Sequence, residues 1–97
     1  MIRHTVAFRL RHAPGSDEER QFLKAALALA DIPGVERFEQ LRQTSPKNDF
    51  RFGFSMEFAD QTAYTNYNEH PVHTGFVAER WLTEVEDFLE IDYEPLD

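Results

Sequence analysis

Cysteine is absent from this 97-residue sequence, which excludes disulfides, a thiolate nucleophile and zinc–thiolate centres. Basic residues are few: ten Lys and Arg stand against 18 Asp and Glu, for a net charge of -8. Nucleic acid and anionic membranes both demand a basic face, so neither is expected as a partner. No apolar run approaches the roughly 20 residues of a membrane span. The opening "MIRHTVAFRLRH" lacks the continuous apolar core of a signal peptide, so a cytoplasmic location is expected. Repeats, linkers and low-complexity tracts are missing too, and residues 1–97 read as a single domain. A domain this small buries only about 60–65% of the surface its unfolded chain exposes. It is marginal alone, and a partner subunit would help.

What the chain does have is aromatic bulk, with nine Phe among its residues. Large side chains of this kind build a core, and they also line small-molecule pockets. In "IRHTVAFRL", Ile2, His4, Val6, Phe8 and Leu10 alternate onto one face of a strand. "PGS" breaks it, and Ser16 with Glu19 forms a capping box for a helix through "DEERQFLKAALALAD". "IPG" ends that helix. "VERFEQLRQT" reads as a weaker second strand. "FRFGFSMEF" is the clearest strand, with Phe50, Phe52, Phe54, Met56 and Phe58 on one face. Asp60 caps a short helix, "QTAYTNYNE". Pro71 starts a longer helix, predicted to run to about Phe88, and "FLEIDYEP" closes the chain as a strand.

Strand, helix, strand, strand, helix, strand is the split βαβ order of ferredoxin-like α+β folds, with a four-stranded antiparallel sheet. The helices cover one sheet face. The other offers Thr5, Ala7, Gly53 and Ser55, small or mixed residues rather than a row of charges. A two-fold homodimer would cover it.

The densest polar stretch is "YNEHPVHTGF", residues 67–76. His73, Val77, Trp81, Val85 and Phe88 follow helical spacing, so His73 is expected in the first turn facing the sheet. His70 precedes Pro71 and is pushed out of helical conformation. The two histidines therefore do not read as a paired metal site. His4, Tyr67 and His73 are predicted to converge between helices and sheet, and Val6, Phe8, Phe52, Phe54, Phe76 and Trp81 would line the same space. Three polar tips in an apolar layer suit a small-molecule site. Burial and a helix N-terminus both disfavour a charged imidazole, which makes His73 a candidate general base. Asp92, from its strand position, is a candidate to hold the second ring nitrogen of His73.

Taken in order, "IRHTVAFRL", "IPGV", "FRFGFSMEF", "YNEHPVHTGF" and "DYEP" resemble the stress-responsive A/B barrel family, also called Dabb, over essentially the whole chain. The resemblance implies a dimeric α+β barrel. It further implies similarity to the family's plant polyketide cyclases. Tyr67 and His73 match their catalytic pair, and His4 matches a pocket histidine. His73 would then remove a proton beside a carbonyl of a small apolar carbonyl ligand, Tyr67 would steady the oxygen gaining charge, and His4 would orient the ligand. Gln21 and Ala25 stand where those cyclases carry aromatic bulk, and Phe52 falls opposite another of their pocket histidines. The resemblance thus implies a differently shaped pocket and a different substrate. No cofactor is required. Some family members hold a structural magnesium ion on main-chain carbonyls, at positions matching Leu29, Ile32 and Val35. Two other functions compete with the enzyme: a non-catalytic, stress-associated or ligand-binding dimer, and a dimeric-barrel monooxygenase acting on haem or quinols.

Overall fold

The computed structural model describes residues 1–97. Strand β1 (Ile2–Leu10) leads to helix α1 (Asp17–Ala26), which tightens into a 3-10 turn (Leu27–Asp31). Strands β2 (Glu36–Arg42) and β3 (Phe52–Phe58) follow, then α2 (Gln61–Glu69). Helix α3 (Pro71–Phe76) passes through a π turn (Val77–Trp81) into a last helical turn (Leu82–Glu84), and β4 (Val85–Tyr93) completes the sheet. The strand order is β2-β3-β1-β4, with every pair antiparallel. This is the ferredoxin-like arrangement, with its helices on one face. No helix is long and apolar enough to cross a membrane.

Local chemistry explains most boundaries. The Ser16 hydroxyl accepts from the Glu19 amide at 3.2 Å. Glu19 reaches back to accept from the Gly15 amide at 3.0 Å rather than from Ser16, whose own amide is taken by the Ala13 carbonyl. That bond accounts for a buried glutamate. Asp60 caps α2 through the Ala63 amide at 2.9 Å, and His70 caps α3 by accepting from the Val72 amide at 3.1 Å. Gly34 sits at φ +93°, a left-handed conformation that disfavours side chains, and a Cβ there would lie 3.3 Å from Ala63 of α2.

Phe8 is the centre of the core. It is fully buried and its ring centroid lies 4.7 Å from Phe54, 5.0 Å from Trp81, and 5.8 Å from both Phe22 and Phe52. The alternation read from β1 and β3 holds, since His4, Val6, Phe8 and Leu10 are buried, as are Phe52, Phe54, Met56 and Phe58. Phe50 lies before β3 rather than in it.

The last helix differs most from expectation. It ends at Glu84, so Val85 and Phe88 do not extend its apolar face. They belong to β4, where Val85 pairs with Leu10 and Phe88 with Phe8. Both residues fit a helical periodicity, but β1 would otherwise keep an unpaired edge of N–H and C=O groups, and the ladder captures them. The π turn is a second difference: the Leu82 amide bonds the Val77 carbonyl, five residues back. In an α-helix Leu82 would point roughly 140° round from Val77. Here both line the same cavity.

The uncovered sheet face carries Leu89, Ile91 and Tyr93, in register with Ala7, Thr5 and Arg3. All three are exposed, at 51%, 39% and 53%. They form an apolar strip along the edge half of that face.

Candidate functional site

A cavity of about 280 Å³ lies between the helical layer and the sheet. Ten of its 14 lining residues are hydrophobic, Tyr67 among them, so beside the Tyr67 hydroxyl the polar groups are only His4, Asn68, His73 and Glu90. β1 supplies His4 and Val6, β3 supplies Phe54 and Met56, and α2 supplies Tyr67 and Asn68. His73, Phe76, Val77, Trp81 and Leu82 come from the segment after Pro71, and Phe88 and Glu90 from β4. Leu29 from the turn after α1 closes the apolar end.

The structure brings His4, Tyr67 and His73 to one cavity. The Tyr67 ring lies 4.4 Å from that of His73 and 6.1 Å from that of His4, centroid to centroid. Val6, Phe54, Phe76 and Trp81 also line the space. Phe8 and Phe52 do not. They lie within the buried cluster, where Phe8 is walled off by Phe54 and Trp81 and Phe52 packs against Phe8 near the far end of the sheet. Facing on a strand tells which layer a side chain enters, and cannot tell where along that layer a void opens. Met56, Leu29, Asn68, Val77, Leu82, Phe88 and Glu90 also line it, though the sequence pattern did not assign them to this space. For Met56 the strand alternation was a usable signal.

Asp92 holds a different histidine from the one expected. Its Oδ1 accepts from His4 Nδ1 at 2.6 Å, and its Oδ2 accepts from the Tyr64 hydroxyl at 2.7 Å. Antiparallel pairing sets His4 opposite Asp92, which decides the partner. The Tyr64 hydroxyl is also 2.9 Å from His4 Nδ1, so three groups form one network. A carboxylate only accepts, so His4 Nδ1 carries the proton.

His73 is held instead by main chain. Its Nδ1 donates to the Asn68 carbonyl at 3.0 Å. That bond leaves Nε2 with the lone pair. Burial lowers the His73 pKa from its ordinary 6.5, and the nearby His4 lowers it further, against opposing contributions from the Asn68 carbonyl and Glu90. The tyrosines shift the other way. Burial, and then the charge of Glu90, push the Tyr67 hydroxyl well above the usual phenol range. Burial and the Asp92 carboxylate do the same to Tyr64. Tyr67 thus stays protonated, and its hydroxyl meets no hydrogen-bonding partner within the chain.

Two sets of atoms bear on metals. Ligand atoms of His4, Glu90 and Asp92 lie within 4.8 Å of one another. Both Asp92 oxygens already accept hydrogen bonds there, so a cation would have to displace them. Neither His70 nor His73 belongs to a cluster of three potential metal ligands. At the magnesium positions, the Leu29 carbonyl accepts from the Ile32 amide at 3.3 Å and the Ile32 carbonyl from the Val35 amide at 3.1 Å. Each oxygen keeps a second lone pair. Neutral carbonyl oxygens of this kind are ligands that a hard cation accepts.

Fold and cavity together define a ferredoxin-like α+β domain with a largely apolar cavity between its layers. The chain belongs to the Stress responsive A/B Barrel Domain family, Dabb, whose model matches residues 2–95. A Dabb protein with a ferredoxin-like fold from Mesorhizobium loti is 64% identical, covers 99% of this chain and 97% of its own, and superposes with a TM-score of 0.97. A dimeric ferredoxin-like protein of unknown function from Thermobifida fusca is 20% identical over 97% of this chain and 90% of its own, with a TM-score of 0.80. A hydroxynitrile lyase from Passiflora edulis is 17% identical over 95% of this chain and 90% of its own, with a TM-score of 0.82. The last two likenesses concern the fold alone. No curated protein matches the chain significantly.

Proposed function

We propose that the cavity binds a small, largely apolar carbonyl compound and that His73 and Tyr67 act on it as general base and hydrogen-bond donor. One observation carries this reading: a neutral imidazole with Nδ1 tied to a carbonyl stands 4.4 Å, ring to ring, from a buried phenol whose hydroxyl has no partner, and both line one cavity. Nε2 of His73 takes a proton from the carbon beside a carbonyl. The C–H electron pair moves into a carbon–carbon double bond while the carbonyl π pair moves onto oxygen. The Tyr67 hydroxyl donates to that oxygen as its charge grows. His4, braced by Asp92 and Tyr64, orients the ligand. If a second carbonyl lies within reach in the same molecule, the new nucleophilic carbon attacks it, and the proton on His73 goes to the resulting alkoxide. That is cyclisation of polyketide-cyclase type.

The working assembly in this reading is a homodimer closing a barrel. The exposed Leu89, Ile91 and Tyr93 strip supports it, as does the dimeric state of the Thermobifida fusca protein. A magnesium ion at the Leu29, Ile32 and Val35 carbonyls would brace the turn between α1 and β2, with no part in the chemistry. A cavity of about 280 Å³ favours ligands smaller than haem, so of the monooxygenase alternative only the quinol form suits its size. A passive ligand-binding dimer is the reading the test must separate.

The test follows deuterium uptake at the carbons beside the carbonyl of 4-phenylbutan-2-one in D2O by NMR. The protein should accelerate exchange over buffer, and H73Q should reduce the acceleration by about 100-fold or more. Binding of the ketone without acceleration, or H73Q exchanging like the unaltered protein, overturns the catalytic reading.

A further inference from the structure

We infer that Glu90 is a charge filter for this cavity, restricting its ligands to neutral or cationic molecules and rejecting carboxylates. The inference rests on the proposed small-molecule site and adds the ligand's charge class to it.

Glu90 is the only acid that lines the cavity. It alternates with Phe88 and Asp92 along β4, and all three turn toward the helical layer. Its carboxylate lies within 4.8 Å of both the Asp92 carboxylate and a ring nitrogen of His4. Tyr67 and His73 both sense its charge, in the directions a nearby anion dictates. The polar end of the cavity therefore sees a negative charge from one wall.

Nothing in the lining answers that charge. No Arg or Lys is among the 14 residues. Any charge that His4 acquires is already matched by Asp92 at 2.6 Å, and His73 is held toward its neutral form. The net charge of -8 adds a repulsive background. A carboxylate entering here would lose its hydration and meet no cation, whereas a ketone or alcohol loses far less. An ammonium group would find Glu90 as a partner. Because Glu90 stands on an exposed edge strand, water screens part of the effect. The discrimination expected is on the order of tenfold rather than many thousandfold.

Three probes with one ring and equal numbers of non-hydrogen atoms separate charge from size: 4-phenylbutan-2-one, 4-phenylbutan-2-amine and 3-phenylpropanoate. Trp81 is the single tryptophan and lines the cavity, so its fluorescence reports binding directly. The ketone and amine should bind about tenfold more tightly than the carboxylate. E90Q should narrow the gap between ketone and carboxylate by about threefold or more, and E90K should reverse the order of amine and carboxylate. Equal affinity for ketone and carboxylate in the unaltered protein overturns the inference, and so does an unchanged ratio in E90Q and E90K. V77F, which fills the cavity from α3's π turn, tests the underlying site. If none of the probes binds at millimolar concentration, or if V77F leaves binding intact, the small-molecule site itself fails. A charge-blind site that V77F closes refutes only the filter.

Discussion

Replacing Asp92 should destabilise the fold more than its partly exposed position suggests. Its carboxylate takes hydrogen bonds from His4 at 2.6 Å and from Tyr64 at 2.7 Å, tying β1 and α2 to β4. Hydrogen bonds to a charged group contribute about 1.5–3 kcal/mol each. The Asp92 side chain is 35% exposed while that of His4 is 8% exposed. Water therefore reaches the carboxylate but scarcely reaches the imidazole. Discounting the pair of bonds by roughly half for that access gives about 1.5–3 kcal/mol for Asp92→Ala. A domain of this length is stable by only about 5–15 kcal/mol, so the loss should be plain in urea. Asp92→Asn keeps one acceptor and should cost about 1 kcal/mol. The assay is urea unfolding followed by Trp81 fluorescence, with Tyr64→Phe and the double variant completing a cycle. Coupling between the two sites should be at least about 0.5 kcal/mol. Asp92→Ala within 0.5 kcal/mol of the unaltered protein, or strictly additive losses, would refute the idea that this network holds β4 in place.

Two further outcomes follow. His73 should titrate below 6.5 by NMR, because burial opposes its charged form; the folded state then binds fewer protons than the unfolded state, so the stability carried by neutral His73 is complete above about 6.5 and lost as pH falls through the folded value. His73→Gln should abolish that acid-side loss, and a titration above 6.5 would contradict the assignment. Sedimentation at micromolar concentration should give about twice 11.4 kDa, and a Leu89→Lys, Ile91→Lys variant should sediment as a monomer; a clean monomer before substitution would remove the barrel assembly.

Much of the architecture was legible in the residues. Alternation fixed the facing of β1 and β3, and side-chain chemistry at Ser16, Asp60, Gly34 and Pro71 marked helix ends, because these signals are local and each residue carries its own reason. The convergence of His4, Tyr67 and His73 could also be read, since facing on a strand and on a helix constrains which layer a side chain enters. What tertiary structure decided is whatever depends on a partner distant in sequence. Val85 and Phe88 satisfy a helical stripe, yet the open edge of β1 draws them into β4. Asp92 went to His4 rather than His73 because cross-strand register sets the neighbour, and register is not written in Asp92 itself. Glu90 looked like one acid among 18. Only the closing of β4 against β1 turned it toward the cavity, because a single-residue shift in that pairing would have sent it to the other face.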